Sequence, residues 1–548
     1  MKRTGTIFFK IAAVVAMLLP LHGRAVAQAA DKPSLVVTIV VSQMRYDYME
    51  RFAANMGAKG FKRFAAEGLV FADARYDFMQ TITPATLATL TTGANPSTHG
   101  IVSHRWVNYT TNYVERLIDD PSARGLDTDA GIGQYSYANL TVPTVGDRLM
   151  EQHPESKVIT VAADPVSAVV MGGFGSDVYW MDSTRGNWVS STAYMTALPD
   201  WVERYNSLRV ASQYLDYTWS LLRPKQQYIN TVYSVFDLDA DKRFRRLMSL
   251  DGARKRGVSR NYPAILHTPA GNTLVAEFAK QAVIYERLGK GEFTDMLNIC
   301  FDTPRYVGGF FGGESVEVED MFYRLDQDIA DLLSFIGAQV DMSKVVVVLT
   351  SDHGASDSFD YRETPRDRFN ADQFRVIVNG FMNAQYGPGE WVIDYSDRQL
   401  YLNRDLIYQQ NLSLDQIQNR VAAFALQFRG VSHVLTSTAL QNSSFNGGYA
   451  EKMQNSFYPK RSGDLIINLM PGWIEECEYN RTGCGSMYEY DTHVPLMFLA
   501  PRLYGQVLPG TVNMRDVAPT LARMMRISRP IAAEGEPIAE IVDRYDVQ

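Results

Sequence analysis

Leu35-Val-Val-Thr-Ile-Val-Val41, running into Ser42-Gln-Met-Arg-Tyr-Asp-Tyr48, decides the fold. The run is apolar or β-branched without a break. A strand with one wet face would alternate, so this one reads as a strand covered on both faces. Polar residues from Ser42 end it, and a helical pattern begins at Tyr48. The same grammar recurs along the chain. Val158–Ala163, Leu297–Phe301, Val345–Thr350 and Pro495–Ala500 read as further strands, and Tyr48–Glu67, Val142–Gln152, Thr273–Leu288 and Val316–Ile336 read as helices. Strands alternating with helices predict an α/β fold: a mostly parallel sheet with helices on both faces. Sites in such sheets form at the carboxyl ends of strands. Ser42, Asp352 and His493 stand at or near such ends.

Two stretches fit the alternation poorly. Residues 172–265 are rich in Tyr, Trp, Ser and Arg and lack long apolar strands. Residues 360–480 are mixed, with one clear helix at Leu414–Arg429. Both read as insertions capping the carboxyl-end face of a single domain, 28–548. Thr511–Met525 reads as a loop and a closing helix. No repeat or low-complexity segment is visible.

The chain has 548 residues, a formal net charge of -8 and no basic tract, so nothing implies attraction to nucleic acid. Residues 1–27 read as a cleavable export signal: Lys2, Arg3 and Lys10, a short apolar run from Ile11 to Leu21, then Ala25-Val26-Ala27. That run falls well short of the roughly 20 residues needed to span a bilayer. No later stretch spans either, and no Cys near the cleavage point suggests a lipid anchor. The expected location is therefore periplasmic or secreted, with the mature chain starting near Gln28. Export permits a disulfide. Cys477 and Cys484 are close enough for a local bridge, whereas Cys300 ends an apolar run and reads as a buried small hydrophobe.

Nine segments, in order, carry a resemblance. They are VVSQMRYDYMERF, TITPATLATLTTGANPSTHGI, YWMDSTRGNWVSS, GNTLVAEFAKQA, GKGEFTDML, SVEVEDMFYRLDQDIADLL, SDHGA, YDTHVPLMF and RDVAPTLARM. Together they resemble the alkaline phosphatase superfamily, most closely its PafA-type secreted phosphatases and type I phosphodiesterase relatives. The resemblance implies a two-zinc phosphoesterase. Two metals about 4 Å apart stabilise the attacking and leaving oxygens, and a Thr or Ser nucleophile forms a phospho-enzyme.

The resemblance places the nucleophile on Thr83. Read without it, Thr83-Pro84 before a helical pattern is a helix N-cap with Pro at the first turn. One family metal site uses the nucleophile, an early Asp and an Asp-His pair. Here Asp352 and His353 match, but the early Asp is Ser42. The other uses an Asp, a His four residues on and a late His. Here the late His is assigned to His493, but the Asp and His positions carry Arg305 and Gly309. The family's phosphate contacts, an Asn, a Lys and an Arg, are replaced by His104, Asp164 and Val166. Arg305 and Asp164 are expected to pair across the vacated metal site.

Two functions follow. The favoured one is a non-catalytic pseudophosphatase that binds an envelope protein, or a ligand in the former active-site cleft, with no metal or one zinc at most. The alternative is an active phosphomonoesterase or phosphodiesterase using Thr83 and an altered or single-metal site, with Asp352, His353, His493 and His104 as the remaining ligand types. Two bound zinc ions are not expected.

Overall fold

The computed structural model describes residues 32–215, 219–230, 262–357, 368–476 and 481–546. The proposed export signal lies outside them. Among the described residues no helix is long and apolar enough to cross a membrane.

Leu35–Val41 lies inside a ten-stranded sheet and is buried at every position. Leu35, Val37, Ile39 and Val41 pack into one core. Val36 and Val40 pack into the other, on the opposite face. The unbroken apolar run therefore serves two cores. Parallel strands flank it: Val345–Thr350 on one side, then Asp295–Phe301, Val158–Ala162 and Asp177–Met181 on the other. The sheet is mixed beyond these. His493–Leu499 runs antiparallel to Val345–Thr350 and to Leu69–Arg75.

Register builds one ridge of loops. Val40 lies opposite both Thr350 and Cys300, and Cys300 lies opposite Ala162. Two residues beyond each are Ser42, Asp352, Asp302 and Asp164, all at the same edge.

Three expectations change in the structure. Tyr48–Glu67 is not one helix: Tyr48–Arg51, a 3-10 turn at Ala53–Asn55 and Phe61–Glu67 replace it. The break is anchored by Asp326 of the long helix Val316–Gln339, which accepts the N–H groups of Gly57 at 2.6 Å and Phe61 at 2.8 Å. A Cβ at Gly60 would fall 2.1 Å from that carboxylate. Part of the stretch 172–265 extends the main sheet rather than covering it. Asp177–Met181 and Trp188–Ser191 form its edge with Gly125–Leu126. Residues 368–476 build a second sheet of four strands, Val392–Ser396, Gln399–Leu402, Leu465–Leu469 and Val431–Thr436. Helices Ala371–Tyr386 and Leu414–Ala425 cover it around a separate core.

A buried carboxylate ties that second unit together. Asp464 accepts from Tyr109 Oη and Leu402 N at 2.8 Å, Gln418 Nε2 at 2.8 Å and Arg404 Nε at 2.9 Å. Tyr109 belongs to the main body, so the same group joins the two units. Asp464→Ala leaves Arg404 without its carboxylate partner. It is expected to lower the unfolding free energy by about 3–5 kcal/mol in urea titration; a loss under about 1 kcal/mol would show that the joint is not structural.

Candidate active site

At the edge set by the register, Asp352 is fully buried and its carboxylate is surrounded by donors. Oδ2 accepts Ser42 Oγ–H at 2.7 Å and Thr83 Oγ1–H at 2.8 Å. Oδ1 accepts the backbone N–H groups of Gln43 at 2.8 Å and His353 at 2.7 Å. Gln43 adopts a left-handed backbone, φ 60°, which turns its N–H toward Asp352. Its side chain leaves no room for a Cβ at Gly308, which would fall 2.4 Å from Gln43 Oε1. The loop after the first strand is thus shaped by Asp352 and by the Tyr306-Val-Gly-Gly segment together.

Thr83 is not an N-cap. Its helix, Thr83–Thr92, is preceded by Ile82 and shows no side-chain cap bond. The hydroxyl points instead to Asp352, because the strand-end carboxylate is a stronger acceptor than any cap would find. Having donated its proton there, Thr83 Oγ1 is left to accept from His353 Nε2, 3.3 Å away. His353 is also buried, and its Nδ1 donates to the Gly354 carbonyl at 2.7 Å. Burial alone would push this imidazole down. The charge of Asp352 first, and then Cys484, outweigh it and raise the pKa to about 10.

The late histidine is a correction. His493 does not join this cluster. Its Nε2 donates to the Ala72 carbonyl at 2.9 Å, and its ring stacks on Tyr46 with centroids 4.4 Å apart. As the first residue of an antiparallel strand beside Leu69–Arg75, it is drawn to that strand's backbone. The side chain that meets His353 is Cys484, from the loop before Tyr490-Asp-Thr-His493. Sequence reading missed it. The available signal was a thiol, a zinc-ligand type, between Gly483 and Gly485 just upstream of a family motif. Among the described residues Cys484 has no disulfide partner; Cys477, and with it the question of a bridge, lies outside them. Asp491, from the same motif, is also fully buried near His353. Burial is the largest cause pushing its pKa up to about 6.

Arg305 and Asp164 pair as expected, Nη2 to Oδ2 at 3.0 Å. Tyr306 Oη donates to the same oxygen at 2.7 Å. Burial would raise Asp164, but Arg305 and Tyr306 hold it below the usual carboxylate range. Asp164 also caps the helix Pro165–Gly172 through the Val166 N–H at 2.8 Å. Asp302 accepts Asp164 N at 2.9 Å and Ser167 Oγ at 2.6 Å, and lies 3.7 Å from Arg305. Its pKa is raised, first by burial and then by Asp164. Gly309 contributes only backbone, accepting Arg481 N at 2.7 Å. His104 turns to the second sheet, its N and Nδ1 lying 2.9 and 3.1 Å from Asp397 Oδ2.

Known proteins place this geometry. Residues 36–492 match the type I phosphodiesterase / nucleotide pyrophosphatase family. The chain is 30% identical over 532 residues to a calcium-transporting ATPase of Myroides odoratus, covering 94% of this chain and 96% of that one. It is 28% identical over 528 residues to alkaline phosphatase PafA of Elizabethkingia meningoseptica, with 94% and 96% covered. The crystal structure of wild-type alkaline phosphatase PafA superposes with a TM-score of 0.85 at 27% identity, covering 94% of this chain and 100% of that one. The chain belongs to the type I phosphodiesterase / nucleotide pyrophosphatase family, as a PafA-type protein of the alkaline phosphatase superfamily.

Proposed function

We propose that this chain is an exported PafA-type protein whose cleft has lost phosphoryl transfer and serves binding or scaffolding in the cell envelope. The observation that carries this is the Arg305–Asp164 pair at 3.0 Å. Around it the site is neutralised by its own side chains. Arg305 faces Asp164, and the His353 ring faces Asp352 at 3.5 Å. A two-zinc reaction needs carboxylates and imidazoles to be free for metal. Here the Asp352 oxygens already accept four short hydrogen bonds from Ser42, Thr83, Gln43 and His353. Arg305, already paired with Asp164, fills the position that the resemblance gives to a metal-ligating Asp. The residues present do not fit two zinc ions.

One observation favours the active reading: Thr83 Oγ1 lies within 2.8 Å of Asp352 and 3.3 Å of His353. Asp352, His353 and Cys484 are acceptable donor types for one divalent ion. Metal analysis and turnover separate the two readings.

The purified chain, dialysed against micromolar zinc, is expected to retain fewer than two equivalents. Ser42→Asp, Arg305→Asp, Gly309→His and Cys484→His combined supply carboxylates and imidazoles around Asp352 and His353, and should raise zinc retention above the parent by elemental analysis. Two equivalents in the parent would defeat the proposal.

Hydrolysis of an aryl phosphate should be weak or absent, and Thr83→Ala should leave it unchanged. That variant loses a buried hydrogen bond to a carboxylate, so its unfolding free energy should drop by about 1.5–3 kcal/mol. Brisk metal-dependent turnover abolished by Thr83→Ala would establish the active reading instead.

Export rests on the sequence at residues 1–27. Amino-terminal sequencing of the secreted or periplasmic fraction is expected to begin near Gln28, and recovery of an intact Met1 would refute it.

A further inference from the structure

The second sheet reaches the cleft through one tight turn. Val392–Ser396 and Gln399–Leu402 pair antiparallel with Ser396 opposite Gln399, so Asp397 and Arg398 alone make the bend. Both are left-handed, at φ 45° and 64°. A two-residue turn of this hand favours Asn-Gly or Asp-Gly, because a Cβ crowds the following carbonyl. Arg398 therefore stands where glycine fits best. Strain of this kind persists only where the surroundings hold it.

What holds it is visible at both side chains. Asp397 Oδ2 accepts Ser103 Oγ at 2.6 Å and His104 N at 2.9 Å, and faces His104 Nδ1 at 3.1 Å. That is the main-body wall following the Thr83 helix. Arg398 is 4% exposed, and its Nη2 donates to the Cys484 carbonyl at 3.1 Å. Its charge is faced by Glu475 and Asp491. Gly485, next to Cys484, rests on the Thr81 carbonyl at 3.1 Å, just before Thr83. Cys484 itself meets His353. One turn thus holds two separate segments, Ser103–His104 and the Cys484 loop.

We propose that Asp397–Arg398 is a latch: a strained turn whose two side chains pin the inserted four-stranded unit across the cleft mouth, Asp397 to the His104 wall and Arg398 to the Cys484 wall, and so set access to Thr83, Asp352 and His353. The latch is independent of whether the cleft turns over substrate.

Arg398→Gly tests the arm rather than the fold, because it leaves a favoured Asp-Gly turn and relieves the left-handed strain. Cys484, half-buried behind the latch, reports opening. The parent and variant are alkylated with iodoacetamide under reductant, and each cysteine peptide is followed separately by mass spectrometry. Cys484 is expected to label about tenfold faster in Arg398→Gly, as local opening without global unfolding allows. Buried Cys300 should stay unlabelled, and the variant should remain folded by circular dichroism. Asp397→Ala should speed amide exchange at Ser103–Arg105 in the same way. Labelling of Cys484 at the parental rate in folded Arg398→Gly overturns the latch. So does loss of that folded signal with Cys300 labelled as well, since Arg398 would then be a fold determinant.

Discussion

The carboxylate of Asp352 is the constraint on which the cleft depends. Fully buried, it cannot stay charged without donors, and the chain supplies them from three places. Ser42 and Gln43 come from the end of the first strand, Thr83 from the start of a helix, and His353 from its own loop. The loop after Leu35–Val41 takes a left-handed residue at Gln43 to make its contact. One carboxylate thereby ties together the first strand's end, the Thr83 helix and the Asp352 loop.

A second charge pair stands a short way along the same edge. Arg305 is placed by the helix Thr303–Phe311 and Asp164 by the cap of Pro165–Gly172, so both are presented by rigid elements. They meet at 3.0 Å, a guanidinium and a carboxylate from adjacent strand ends. The pair also explains how the buried Asp164 carboxylate is held. Tyr306 and Arg305 share its charge, and the nearby Asp302 is driven toward its neutral form by burial.

The inserted unit turns these local facts into a closed architecture. Its core is separate, but Asp464 accepts Tyr109 from the main body, and the Asp397–Arg398 turn contacts Ser103 and the Cys484 carbonyl. Contacts of this kind join residues hundreds of positions apart. Ser103 and Asp397, for example, are 294 residues apart.

Periodicity determined the strands and their layering. A β-branched run such as Leu35–Val41 or Val345–Thr350 has one economical use, between two helical layers, and both were legible to the residue. So was the pairing of Arg305 with Asp164, because opposite charges at two family positions on adjacent strand ends have little else to meet. Strands Leu69–Arg75 and Gln506–Asn513 were not legible: the first, though inside the sheet, is only partly buried, and the second is a largely exposed edge, so neither carries a long apolar run. Thr83 as a cap and His493 as a site residue were read wrongly for one reason. Each has the right type at the right spacing, but a side chain's direction is set by the strongest partner that tertiary packing brings near. For Thr83 that partner is Asp352, 269 positions away. For His493 it is the Ala72 carbonyl of the neighbouring strand. Cys484 enters the site because its loop folds back on Thr81, a contact that sequence spacing does not encode.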